Sequence, residues 1–171
     1  EDANTEAKTL AAISVYKADN ALLKSFNLST AYTIDNTSPL NGSIQGMYPS
    51  LVNDKKKLRL NSITETNSQS QTLPPTTYEY FPETVTRRLS FGQDHWGYAN
   101  GVTANAKMIA TYTENTYTVV AGANREPAWP QMRGGSLKRI NFPTGGYVDF
   151  DMEPNTVWVT KSGLADVFAV S

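Results

Sequence analysis

Few residues in this chain could do chemistry. Its one histidine, His95, directly follows Asp94. A carboxylate beside an imidazole is the pairing that general-base and metal chemistry use. Neighbouring residues on a strand point to opposite faces, so a turn is needed to bring the two together. No second histidine and no cysteine exist to complete a metal site. No Gly-x-Ser-x-Gly elbow offers a nucleophile, so a Ser-His-Asp triad lacks support. The expected role of His95 is structural, bonding to backbone in a tight aromatic loop. No residue is assigned a catalytic, cofactor or metal role. Trp96, Trp129 and Trp158 raise a different chemistry. Indole faces stack on sugars, which makes His95, Trp96, Trp129 and Trp158, with Asp94 and Asn100, the candidate ligand-binding residues. Packing is the preferred reading, since each indole buries a large apolar area. Two indoles exposed on one face would reverse it.

The remaining polar candidates are weaker. Asp149, Asp151 and Glu153 alternate, which on a strand would line up hard oxygens for calcium. Without an Asp-x-Asp-x-Asp-Gly loop, a solvated outer face is preferred. Arg125 and Glu126 are expected to form an ion pair and to brace their loop against the sheet, since guanidinium offers a fork of donors to carboxylates or carbonyls. Gly134-Gly135 and Gly145-Gly146 are followed by no Lys-Ser/Thr and are not phosphate loops. The Asn-x-Ser/Thr matches at Asn27, Asn36 and Asn41 are attributed to an Asn/Ser/Thr-rich composition.

Composition limits the classes further. The chain has 171 residues, a formal net charge of -1 and 18% charged residues. A domain of this size buries roughly 70% of its unfolded surface. Lys55-Lys56-Lys57 is the one basic run and reads as a solvated strand entry, so no nucleic-acid partner is expected. Apolar runs fall far short of the roughly 20 residues of a membrane helix, so no transmembrane segment is expected. With no signal peptide and mid-stream ends at Glu1 and Ser171, the chain is expected to be a fragment or a processed piece.

The elements that must position these residues read as strands. β-branched and aromatic residues are broken by turn residues, and good helix formers are scarce. Only Glu1 to Ala12 suits a helix, and equally a loop. Ile13 and Val15, then Leu23, Phe26 and Leu28, flank a turn at Lys17-Ala18-Asp19-Asn20. Asp35 to Asp54 is a long loop, rich in Pro, Gly and Asn. A second pair joins Leu58-Leu60-Ile63 to Tyr78-Glu79-Tyr80, and a third joins Leu137-Ile140 to Tyr147-Val148-Phe150 through Pro143-Thr144-Gly145-Gly146. Thr111 to Val120 reads as one further strand. The leading Leu and Ile of each unit lie three apart, which implies strands covered on both faces or a bulge. The units span 1–54, 55–90 and 137–171, with an aromatic and Gly-rich loop region over 91–136. Together they form a single structural domain or fragment. Hairpins that cannot bury their own faces must stack on neighbours.

Five motifs occur in a fixed order: Leu58-x-Leu60-x-Ser62-Ile63; Pro74-Pro75 before Tyr78-Glu79-Tyr80; Asp94-His95-Trp96-Gly97-Tyr98-x-Asn100-Gly101; Asn124-Arg125-Glu126-Pro127; and Leu137-x-x-Ile140-x-x-Pro143-Thr144-Gly145-Gly146. This succession resembles the region preceding the YD repeats in large Rhs-type proteins of bacterial surface and secretion systems. Asp94 to Gly101, Arg125, Glu126, Pro143, Gly145 and Gly146 are the structural positions that carry the resemblance. It implies a piece of a β-rich cocoon that in relatives encloses a toxic C-terminal segment. Two departures are Asn124-Arg125 where the family usually has Asp-Arg, and the lack of any run of YD repeats.

The expected fold is all-β, with antiparallel hairpins forming a curved extended sheet in a larger β-shell. The expected function is a non-enzymatic scaffold segment, secreted or at the bacterial cell surface. Its partners would be the rest of a larger polypeptide or neighbouring subunits, and no cofactor is expected. The alternative is a carbohydrate-binding module for surface glycan built on exposed tryptophans. A hydrolase centred on His95 lacks a second strong residue.

Overall fold

A computed structural model describes residues 9–36, 53–109, 112–114, 117–120, 122–154, 156–159 and 167–170. The fold is all-β. Six strands form one open antiparallel sheet in the order β1-β2-β3-β4-β7-β8. They are β1 (Ala12–Tyr16), β2 (Leu22–Ile34), β3 (Lys56–Asn67), β4 (Thr76–Tyr80), β7 (Leu137–Asn141) and β8 (Tyr147–Asp149). Two separate ribbons are β5 (Tyr112–Glu114) with β6 (Tyr117–Val120), and β9 (Thr156–Val159) with β10 (Val167–Val170). The expected single strand over Thr111 to Val120 is thus a short hairpin, with Tyr112 opposite Val120 and Glu114 opposite Tyr117. Glu1 to Lys8 and most of the expected long loop, including Asn41, lie outside the described residues.

Contacts divide the chain into two compact units. The first comprises residues 1–32, 58–79 and 137–150, and it brings together the three expected hairpins. Local turn chemistry closes each of them. Asn20 adopts a φ of 62° and its N–H bonds to the Lys17 carbonyl, while the Asp19 carboxylate accepts the Ala21 N–H at 3.0 Å. Beyond β3, the Asn67 side chain accepts the Gln69 and Gln71 N–H groups, both at 2.9 Å. At the third hairpin Gly145 has a φ of 89°, a region in which a side chain would be strained.

The sheet has two chemically distinct faces. Register pairs Ile13 with Phe26, Ile63 with Thr76 and Ile140 with Val148. Strand alternation and cross-strand bonds place Ile13, Val15, Phe26, Ile63, Tyr78, Ile140 and Val148 on one face. Lys24 joins that face, 3.1 Å from Glu65 and 4.9 Å over the Phe26 ring. The opposite face is polar. Asn27 reaches Thr66 at 3.3 Å, and Asn141 donates to Thr77 at 3.1 Å and to Glu79 at 2.9 Å. Arg139 grips Asp149 through two bonds and lies 4.2 Å over Tyr147. Leu60 and Leu137 intrude on the polar face half-buried, which accounts for the Leu-x-x-Ile spacing without a bulge at that point. The register irregularity in β1 falls instead at its end, between Val15 and Tyr16.

Among the described residues, the fully buried apolar side chains are Phe81 and Ala123, and both belong to the second unit. Within the sheet unit the apolar face is half open, with Ile13 48% and Val148 43% exposed.

The Arg139–Asp149 clasp is testable by pH. Hydrogen bonding from Arg139 lowers the Asp149 pKa, so the paired carboxylate stabilises the hairpin above the ordinary aspartate range. That contribution fades as pH falls through the lowered value. An NMR titration should place the Asp149 midpoint below the usual value of about 3.9, and Arg139→Gln should return it there.

Candidate functional site

The second unit comprises residues 33–57, 80–136 and 151–171. Its stretch from Ser90 to Gly101 is too rich in Gly and turn residues to form a ladder, so its backbone polar groups need other partners. Side chains provide them. Asp94 is 0% exposed, and its Oδ1 accepts the N–H of Trp96 and of Tyr98, each at 2.9 Å. The Asp94 N–H bonds to the Tyr98 carbonyl at 2.9 Å, and Gly97, at a φ of 93°, turns the chain back. Buried Asn100 donates to the carbonyls of Asn124 and Glu126 and accepts the Val102 N–H. Asn105 donates to the carbonyls of Phe91 and Asn124 and accepts the Asn124 N–H. Two loops distant in sequence are thereby tied together.

Several expected roles change here. His95 does not bond to backbone. It is exposed and stands edge-on to Trp96, with ring centroids 6.3 Å apart. The backbone-bonding role belongs to Asp94, because a carboxylate can accept two N–H groups inside the turn. Arg125 does not pair with Glu126. Its guanidinium donates to the carbonyls of Met108 and Asp94, so it braces loop to loop rather than loop to sheet. Glu126 enters the network through its backbone, the N–H bonding to Asn124 Oδ1 at 2.9 Å. Gly101 follows Asn100 with a φ of 73°. Pro143, Gly145 and Gly146 lie in the β7–β8 turn of the sheet unit. Asp149, Asp151 and Glu153 do not share a strand face. β8 ends at Asp149, which Arg139 engages, and residues 151–154 are irregular. Among the described residues, no three His, Cys, Asp or Glu side chains cluster to hold a metal ion.

The loop network pushes its aromatic side chains outward. Trp96 is 60% exposed, Tyr98 55% and Trp129 36%. Packing as the preferred role for Trp96 is corrected, because its N–H is drawn inward to Asp94 while its ring is left outside. All three rings line one cavity of about 520 Å³, together with Met132, Arg133, Ser136, Met152, Glu153 and Pro154. The Trp158 side chain lies outside the described residues.

Arg133 stiffens one wall. Its Nε and Nη2 donate to Glu83 Oε1 at 2.9 and 2.7 Å. The guanidinium sits 4.4 Å over the buried Phe81 ring and 5.1 Å over Trp129. It is presented by a 3₁₀ turn, Gln131–Arg133, that follows a cis Trp129–Pro130 bond.

A second anchor escaped the sequence reading. Arg87, 4% exposed, clasps Asp54 at 2.6 Å from Nε and 2.7 Å from Nη2, while its own N–H bonds to Asp35 at 2.7 Å. Burial lowers the pKa of nearby Lys57 and the Arg88 charge adds to this, whereas Asp54 and Asp35 pull it upward. Separations of 33 and 52 residues leave no local signal for these bonds.

Comparisons of the chain with family models, curated proteins and solved structures found no match. The Rhs-type resemblance therefore rests on the motifs quoted above.

Two substitutions test the anchors by urea unfolding. Asp94→Ala removes two bonds to a charged acceptor and should cost about 2–4 kcal/mol, while Asp94→Asn, which keeps an acceptor oxygen, should cost less than half of that. Arg87→Met strands the Asp54 carboxylate in a buried site and should cost roughly 3–5 kcal/mol. The double change Arg87→Met with Asp54→Leu should regain most of the loss.

Proposed function

We propose that the chain is a structural β-scaffold segment of a secreted or cell-surface protein of the Rhs/YD-repeat kind. The observation that carries this reading is the two-faced sheet, whose apolar face has no fully buried apolar side chain among the described residues of its own unit. A half-open apolar face gives up burial worth about 25 cal/mol per Å², and further structure laid on it regains that energy. Among the described residues β1 and β8 end the strand order, with no strand paired to their outer edges. The expected occupant is more β-hairpin structure of the parent polypeptide, as the family resemblance implies. On this reading the segment works by position and burial rather than by catalysis. A cocoon around a toxic piece is the assembly into which it would fit.

The experiment is to express residues 1–171 alone and measure oligomer size, melting and binding of an apolar dye. Association or strong dye binding is expected, together with a broad melt. Changing Ile63 and Ile140 to Thr should weaken dye binding and association. A sharply melting monomer that leaves the dye dark would overturn the scaffold reading.

A further inference from the structure

We infer that the cavity walled by Trp96, Tyr98 and Trp129 is a binding site for a neutral oligosaccharide. Its volume of about 520 Å³ lies within the ordinary range of ligand pockets, roughly 300–1,000 Å³. Sugar rings carry apolar C–H faces and hydroxyl groups that both donate and accept. The cavity supplies a partner for each. The three exposed aromatic rings offer flat surfaces, and the lining residues Ser136, Glu153 and Arg133, with the Tyr98 hydroxyl and the indole N–H groups, carry polar groups. Arg133 engages Glu83 through Nε and Nη2, which leaves Nη1 to donate.

The charges argue for a neutral ligand. An aromatic cage with a carboxylate would otherwise suit a quaternary ammonium. Here Arg133 already lies over Trp129, so a second cation at that ring would meet like charge. An anion would meet Glu153. The aromatic wall is also held in place before any ligand arrives. Asp94 fixes the backbone of Trp96 and Tyr98 from below, and Arg133 backs Trp129. Rigid presentation lowers the ordering cost of binding. The site lies wholly within the loop-rich unit and stands independently of the scaffold reading.

The test is a tryptophan-fluorescence titration of the full chain with short neutral oligomers of glucose, mannose, galactose and N-acetylglucosamine. At least one series should give a saturable change whose affinity is insensitive to salt. Trp96→Ala should weaken it about tenfold, Trp96→Phe less, and Glu153→Gln severalfold, with melting unchanged because both residues are exposed. Trp129→Phe keeps a ring beside Arg133 and should also weaken binding. Flat titrations across the panel would overturn the inference. So would binding that survives Trp96→Ala undiminished, or saturable binding of tetramethylammonium that is lost in Glu153→Gln.

Discussion

Asp94 organises the loop-rich unit because it answers a demand that no strand there can meet. A backbone that turns through Gly97 and Gly101 leaves N–H groups without ladder partners, and an unsatisfied buried group costs about 1–3 kcal/mol. One sealed carboxylate takes two of them, and Arg125 caps the Asp94 carbonyl. Asn100, Asn105 and Asn124 repeat the device across to the neighbouring loop. Among the described residues, the buried set in this unit is accordingly more polar than apolar: Asp35, Asp54, Thr86, Arg87, Ser90, Asp94 and Asn100 against Phe81 and Ala123. The satisfaction is incomplete, since Asp94 Oδ2 and Arg125 Nε are buried without a hydrogen-bond partner, and a partly satisfied network leaves part of its desolvation cost uncompensated.

The sheet unit solves the same problem differently. Its ladders satisfy the backbone, so side chains are free to divide by face. The polar face is knitted by cross-strand bonds such as Asn141 to Thr77 and Glu79, each of modest worth. The apolar face supplies a surface rather than a core. Covering that surface would regain burial free energy, and the scaffold proposal draws on this gain.

What the sequence made legible was local. Turn chemistry at Lys17 to Asn20 and at Gly145, and the alternation on either side, depend on residues close together, and the hairpins are found where those signals lie. The joining of the three hairpins in one sheet was legible as well, because each offers an apolar face it cannot bury. Thr111 to Val120 was read as one strand because its β-branched run hides the reversal between Glu114 and Tyr117. At Asp94-His95 the backbone-bonding role was expected of the histidine and falls to the aspartate. Strand alternation says nothing of which neighbour faces inward within a turn. The Arg87–Asp54 clasp and the Arg133–Glu83 wall left no trace, since partners 33 and 50 residues apart meet through topology alone.

The exposure of Trp96 links the network to the cavity. An indole buries on the order of 200 Å², so leaving it 60% exposed gives up roughly 3 kcal/mol of burial. The two bonds from Asp94 to the backbone of Trp96 and Tyr98 are of similar size. These bonds hold the backbone of the turn, and the Trp96 ring stands outside it. A ring held out of its own core keeps its apolar face open, and on the proposed sugar-binding reading part of the burial free energy it gives up would return as binding free energy.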